Sequence, residues 1–480
     1  MGRWAGAGHP PRLGAEPAPG RNSPAAAPYL ERMDRTLALP TLATPCLVTL
    51  LALAAAAPLD AQRPAPPAID GEDQREIIEE IAAALDETYI FAETAAAMGA
   101  RLGERLASGA YDGAGDLAAF ADRLTEDLQG VSHDKHLRVR WEPPRPLEAG
   151  EGPSEEERRA RFAENLRRDN YCFRRVEHLQ GNVGYLKLDC FAPAELAGAT
   201  AVAAMNFLAG SDALIVDLRD NGGGSPSMIQ LLTSYLLEEP THLNSFYIRR
   251  SDETRQFWTQ AHVVGLKLID IPVWVLTSGQ TFSAAEEFTY NLKNLERATL
   301  VGETTGGGAH PVELYTLKDH DLSVSLPFGR AINPISGTNW EGTGVTPHRE
   351  TPAPEALSVA HQDALGRLAE TAEDPERRAQ LAFARETLEL RGRAPVALDE
   401  ATLEAYVGVY GPRKITREGS RLLYQREDGP VRELIPAGDD RFLLDGADDF
   451  RVRFERASDG RVIRIVGLYD DGSEEPNDRG

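Results

Sequence analysis

Cysteine is scarce: three in 480 residues, too few for a disulfide scaffold or a cysteine-rich zinc module. Positive charge is short as well, with 51 Lys and Arg against 75 Asp and Glu and a net charge of -24. That balance excludes nucleic acid as a partner, because phosphate binding needs a basic face. It also disfavours electrostatic docking on anionic lipid. No repeat of the solenoid type occurs. What remains is ordinary globular usage, 42% hydrophobic and 26% charged. The length suits about two or three domains and a large core.

The N-terminus carries an address rather than a fold. Residues 1–32 are rich in Gly, Pro, Ala and Arg without apolar periodicity, and read as disordered or over-extended. From Met33 the order is Arg35, an apolar run ending Cys46-Leu-Val-Thr-Leu-Leu-Ala-Leu-Ala-Ala-Ala-Ala57, then Pro58 to Ala61. A charged start, a short apolar stretch and small residues at the end predict a signal peptide over 33–61, cut near Ala57 or Ala61. The apolar run is about a dozen residues, too short for a membrane span. The expected location is periplasmic or secreted, with no membrane association beyond the export signal. Cleavage removes Cys46. Cys172 and Cys190 remain, equally distant from Gly181 in a predicted β-hairpin. An antiparallel pair centred there sets them opposite each other, either bridged in an oxidising compartment or as two small unpaired core residues.

Periodicity divides the rest. Over 70–130, apolar residues at helical spacing (Ile77, Ile81, Leu85, Met98, Leu102, Leu106, Leu117, Phe120, Leu124, Leu128) predict three helices forming a small cap. Over 131–352 strands and helices alternate, as in Ala213–Asp217 followed by Pro226–Leu237 and Pro272–Thr277 followed by Ala284–Leu295. That pattern predicts a parallel or mixed sheet covered by helices. Residues 353–394 form a charged helical linker. Over 395–480, short strands separated by Gly and Asp turns predict a small antiparallel sheet or barrel.

Four segments carry chemistry. Asp217-Leu-Arg-Asp-Asn-Gly222-Gly223-Gly224 leads from a strand through glycines to a helix start, where backbone N–H groups can face an oxygen. It lacks the lysine of a nucleotide-binding phosphate loop. Thr281-Phe-Ser283-Ala284-Ala-Glu286 opens an apolar helix. Its local spacing favours Ser283 as a helix cap with Glu286 completing a capping box. The competing reading is a nucleophile whose oxyanion is held by the Ala284 N–H. Gly302-Glu-Thr-Thr-Gly-Gly-Gly308-Ala-His310 follows another strand and adds a histidine. His133-Asp134-Lys135-His136 offers two histidines and an acid, a metal-like set, but with no third strong ligand nearby, so neither metal nor cofactor is expected.

Read together, and with Asn339-Trp-Glu341-Gly-Thr-Gly-Val-Thr-Pro347 at the end, these segments resemble the tail-specific (C-terminal-processing) serine peptidases. The resemblance is closest to the branch similar to interphotoreceptor retinoid-binding protein and the tricorn protease core, and covers roughly 70–350. It implies a Clp-protease/crotonase-like α/β core, a nucleophile at Ser283, and an oxyanion hole from the N–H groups of Ala284 and Gly223. The lysine base of the processing proteases is replaced here by Gly308. The tricorn-like branch uses a histidine instead, which His136 matches, although Lys135 stands where that branch has a serine. Glu341 is the implied supporting acid, and His310 is the rival base. The PDZ module of many relatives has no counterpart.

A serine hydroxyl needs a base near neutral pKa, and a histidine held by a carboxylate supplies one whatever the chain order. The expected function is an exported serine peptidase that cleaves peptides or unfolded protein tails through an acyl-enzyme. The alternative is a catalytically inactive binding protein for an apolar ligand on the same fold.

Overall fold

The computed structural model describes residues 65–142, 154–317, 319–393 and 396–480. The expected signal peptide and the segment before it lie outside the described residues. Among the described residues, no helix is long and apolar enough to cross a membrane.

The chain begins with three helices, α1 (Gly71–Thr88), α2 (Ala92–Ala107) and α3 (Leu117–Ser132). Asp70 caps α1 by accepting from the N–H groups of Glu72 and Asp73. The helices bury the predicted stripe, with Ile77, Ile81, Leu85, Met98, Leu102, Phe120, Leu124 and Leu128 fully enclosed. This cap does not close on itself. Its apolar face packs on Val139, Leu317, Leu322, Val324 and Leu326 of a three-stranded sheet.

After β1 (Arg138–Trp141) come α4 (Glu155–Arg168), β2 (Phe173–Leu179), β3 (Val183–Leu188), α5 (Ala194–Phe207), β4 (Ala213–Asp217) and α6 (Pro226–Ser234). Next are the strands β5 (His242–Ile248), β6 (Glu253–Trp258) and β7 (Val273–Thr277), then α7 (Ala284–Asn294). Five strands follow: β8 (Thr299–Gly302), β9 (Val312–Leu317), β10 (Leu322–Pro327), β11 (Gly329–Ile332) and β12 (Arg349–Glu350). The central sheet has the order β12-β8-β7-β4-β3-β2, parallel except for the β2–β3 hairpin. Its inner strands are apolar on both faces, as a sheet covered on both sides requires. Leu214 and Val216 face α5, α6 and α7, whereas Ala213 and Ile215 face the alanines Ala356, Ala360 and Ala364. Those alanines belong to α8 (Ala356–Thr371), which with α9 (Pro375–Arg391) occupies the region expected as a linker. Its small apolar stripe makes that region the second covering layer of the core, while Arg377 bonds Gly181 O and Glu386 pairs with Arg441 and Arg451 of the C-terminal strands. The β5–β6 hairpin, paired with β11, was not anticipated from the sequence.

Beyond α10 (Glu400–Tyr406), eight antiparallel strands run from β13 (Gly408–Tyr410) to β20 (Glu474–Asp478) in simple meander order. A bridge between Tyr410 and Arg479, and the Gly480 N–H donating to Val409 O at 2.9 Å, join the first strand to the end of the last. The ring closes and leaves no free edge. The two remaining cysteines are bonded: Cys172 and Cys190 lie just outside the paired residues of β2 and β3, with Cα atoms 5.4 Å apart.

Candidate active site

The site forms where the parallel strands end, as open α/β sheets favour. Strand β4 ends in Asp217, fully buried and held by both Arg219 (2.6 and 2.9 Å) and the Tyr185 hydroxyl (2.6 Å). Arg219 also donates to Ala353 O at 2.7 Å, tying the loop to the segment before α8. This anchors the glycine loop. Asn221 then turns its side chain inward: it donates to Leu188 O (2.7 Å) and accepts the Gly223 N–H (2.9 Å). The Gly223 N–H is therefore occupied. The Gly224 N–H makes no hydrogen bond among the described residues, because the bridge to Phe191 uses Gly223 O and Ser225 N–H instead. Only glycine fits at 223: its φ is +112°, and a Cβ there would meet the Ser283 Cβ at 2.8 Å and the Ala284 N at 3.1 Å.

Strand β7 delivers Ser283 through the turn Ser278–Phe282. Ser283 has φ 55° and ψ −119°, not the extended backbone of an ordinary helix cap. A non-glycine residue held there is strained, and such strain collects at functional positions. The Ala284 N–H has no acceptor among the described residues.

Glu286 does more than complete a capping box. Its carboxylate, fully buried, accepts four hydrogen bonds: from Thr305 Oγ1 (2.5 Å), Gly307 N–H (2.6 Å), Gly308 N–H (2.8 Å) and Ser283 N–H (2.9 Å). One acid thus ties the serine turn to the second glycine loop. Burial pushes its pKa up and the four donors offset part of that rise. The sequence pattern showed the last of these bonds, from Ser283, and not the other three.

The second glycine loop brings in His310. Its Nδ1 lies 2.6 Å from Asp134 Oδ2 and 3.6 Å from Glu341 Oε2. Burial lowers the His310 pKa, but the Asp134 hydrogen bond and the charges of Glu341 and Asp134 more than compensate, so the net shift is upward. With Nδ1 committed to Asp134, Nε2 is the nitrogen left for chemistry. Glu341 itself accepts the Ala309 N–H at 2.6 Å. Burial pushes its pKa up to about 7; the His310 charge works against this and the Asp134 charge adds to it.

His136 is placed differently. Its ring lies 4.6 Å from that of Phe282, and both ring nitrogens are buried without a hydrogen-bond partner among the described residues. Burial lowers its pKa to about 4. His133 is exposed. Lys135 donates to Gly306 O at 2.6 Å, pinning this segment to the second glycine loop. Gly308, where the processing proteases have lysine, has no room for a side chain: a Cβ would meet Phe282 Cζ at 2.3 Å and His136 Cε1 at 2.6 Å.

A cleft of about 320 Å³ is lined by Gly224, Ser283, Ala284 and His310, with Phe246, Phe257, Phe328 and Trp340 among its walls. His136 and Gly223 are not on its surface. Ser283 and His310 share the cleft without a hydrogen bond between them, an arrangement common before substrate binds. The expectation that His136 is the base and Gly223 an oxyanion donor thus meets a geometry in which His310 and Gly224 line this cleft, although both histidines are buried. The reason is local: Asn221 captures the Gly223 N–H, and Asp134 captures His310. Asp134, the acid of the metal-like set in the sequence, pairs with His310. A larger cavity of about 730 Å³ lies at the other end of the sheet, where β7 and β8 begin, and contains none of these residues.

Residues 182–351 match the model of peptidase family S41, and residues 72–177 match that of the N-terminal domain of peptidase S41 in eukaryotic IRBP. Among solved structures, a lipoprotein from Streptococcus agalactiae is 17% identical with a TM-score of 0.42, the match covering 63% of this chain and 98% of that one. The photosystem II D1 C-terminal processing protease is 16% identical with a TM-score of 0.38, covering 58% and 93%. The tricorn protease is 14% identical with a TM-score of 0.39, covering 66% and 37%.

Proposed function

The chain belongs to peptidase family S41, and on that premise we propose that it is an exported serine endopeptidase with Ser283 as nucleophile and His310 as general base. The observation that carries this reading is the Asp134–His310 pair at 2.6 Å on the wall of the cleft that also holds Ser283.

In the proposed reaction, Ser283 Oγ attacks the carbonyl carbon of a peptide bond and gives its proton to His310 Nε2. Asp134 holds the imidazole in the tautomer that leaves Nε2 free and stabilises the imidazolium. The tetrahedral oxyanion accepts from the N–H groups of Ala284 and Gly224 at the start of α7. His310 returns the proton to the departing amine, leaving an acyl-serine, and water repeats the sequence to release the second fragment. Glu341 stands behind Asp134 and His310 as a second acid. The aromatic walls suit apolar side chains of peptides or unfolded protein tails. The Cys172–Cys190 bond supports export, because such bonds persist in oxidising compartments. The inactive binding-protein alternative is not favoured, since the chain matches a peptidase family.

A fluorophosphonate probe tests this. Labelling of the purified protein should vanish in Ser283→Ala and fall steeply in His310→Ala, while His136→Ala keeps it. Persistence of labelling in Ser283→Ala would overturn the nucleophile, and loss only in His136→Ala would overturn the base.

A further inference from the structure

The cleft beside Ser283 is walled by Phe246, Phe257, Phe328 and Trp340, yet an acid lines it too, Glu287. Glu287 is only 3% exposed and has no part in the reaction proposed above. It lies one turn beyond Ser283 on α7, its N–H donating to Ser283 O at 2.9 Å. Residues four apart share a helix face with Cβ atoms about 5–6 Å apart, and their side chains lean toward the helix N-terminus, here toward Ser283.

A buried carboxylate normally has a cationic partner or a full set of donors. The amides of Asn244 and Asn291 stand beside Glu287, but the Nδ2 of each is buried without a hydrogen bond of proper geometry among the described residues. Burial pushes the Glu287 pKa up to about 7; the two amides offset part of the rise, and no basic side chain contributes. Arg255 also lines the cleft, but it is exposed and pairs with Glu253 at 3.0 Å.

We propose that Glu287 makes this cleft a specificity pocket for a basic side chain, so that the enzyme cuts peptides on the carboxyl side of lysine or arginine. The residue whose carbonyl is attacked carries its side chain one atom from the reacting carbon, so that side chain is the one to enter a pocket opening at Ser283. Its aliphatic stem lies among the aromatic walls, which also favour a cation, and its charged end meets Glu287. The pair forms away from bulk water, where a charge-assisted hydrogen bond is strongest. An apolar side chain of equal length leaves the acid buried without a countercharge, and an acidic one is repelled. This assignment rests on Ser283 as the nucleophile and holds whichever histidine serves as base.

The test uses three peptidyl diphenyl phosphonates that differ only in the residue bearing phosphorus: lysine, norleucine or glutamate. Each inactivates a serine peptidase by bonding to its nucleophile, and the second-order rate is read on the full-length protein. The lysine compound should react about 10- to 100-fold faster than the norleucine compound, and the glutamate compound slowest of the three. In Glu287→Gln and Glu287→Leu the lysine-to-norleucine ratio should fall below about three. The ratio is taken within one protein, so a smaller folded fraction in a variant cancels. A parent that fluorophosphonate labels but that shows no preference for lysine, or a preference that survives both substitutions, overturns the role of Glu287 and leaves the nucleophile standing. A parent that neither fluorophosphonate nor any of the three phosphonates labels overturns Ser283 as nucleophile, and the pocket assignment with it.

Discussion

Replacing Glu286 with glutamine changes one buried oxygen to an NH₂ group and removes one charge, with almost no change of volume. The carboxylate accepts four donors, two on each oxygen. The least costly orientation puts the new nitrogen toward Thr305, whose hydroxyl can turn from donor to acceptor. The Gly307 N–H has no such freedom and is left facing a donor. One buried unsatisfied N–H costs about 1–3 kcal/mol. The two bonds on the remaining oxygen, to Gly308 and Ser283, become neutral and lose about 1 kcal/mol each. Removing a buried charge, whose desolvation pushes the Glu286 pKa up, offsets part of this. A net cost of about 2–4 kcal/mol follows. These bonds join Ser283 to the loop carrying His310, so the cost falls on the arrangement of nucleophile and base. At about 1.4 kcal/mol per factor of ten, kcat/KM should drop roughly 30- to 1,000-fold. The assay is the rate of fluorophosphonate labelling, with thermal unfolding recorded alongside. A Glu286→Gln protein that labels within threefold of the parent rate would refute the reasoning, since the four-bond junction would then hold nothing that acylation needs.

The pH dependence of kcat/KM should report His310. The base must be neutral, so activity is lost as pH falls through a pKa that the Asp134 hydrogen bond and the Glu341 charge have raised. Asp134→Asn should move that limb to lower pH and cut the rate by roughly 10³–10⁴; an unmoved limb would count against Asp134 as the positioning acid. By linkage, the same raised pKa stabilises the fold below the unfolded histidine value of about 6.5, a contribution lost as pH rises through the folded pKa. Denaturation midpoints of His310→Gln against the parent at pH 5 and 9 would detect it. Opening the Cys172–Cys190 bond, which closes a loop of sequence separation 18, should lower stability by about 3 kcal/mol. Urea unfolding of the Cys172→Ser, Cys190→Ser double variant measures this, and an unchanged midpoint would contradict it. Gly308→Lys should abolish labelling rather than restore a Ser–Lys dyad, because Phe282 and His136 fill the space for its Cβ; a gain in labelling would show that the loop can yield.

The strands and helices of the central sheet were legible because burial on both faces leaves continuous apolar runs such as Ala213-Leu-Ile-Val216, and because glycine and helix starts punctuate them. The cap helices were legible from their single apolar stripe. The β5–β6 hairpin was not, because His242–Ile248 and Glu253–Trp258 mix polar and apolar residues without strict alternation; only one face of the hairpin meets the cleft. The region 353–394 misled for a related reason. Its charges are what a sequence shows first, whereas the packing surface is made of alanines, whose small size lets α8 lie close to the sheet.

The choice between the two histidines could not be made from spacing, and the fold shows why. His136 precedes β1 and His310 precedes β9, and both strands pair with β10 from opposite sides. That three-stranded sheet brings together two segments 176 residues apart, so that Asp134 meets His310. A motif read along the chain assigns Asp134 to its neighbour His136, because nothing in the local sequence encodes a register through a third strand. The hydrogen bond is made across the sheet instead, and it leaves His136 beside Phe282 with no partner of its own. Glycine at 308 is the same fact seen from the other side. A lysine there and a histidine at 136 compete for one volume, so a chain that keeps His136 gives up the lysine. In the proposed mechanism the histidine that takes its role sits two residues farther along the same loop.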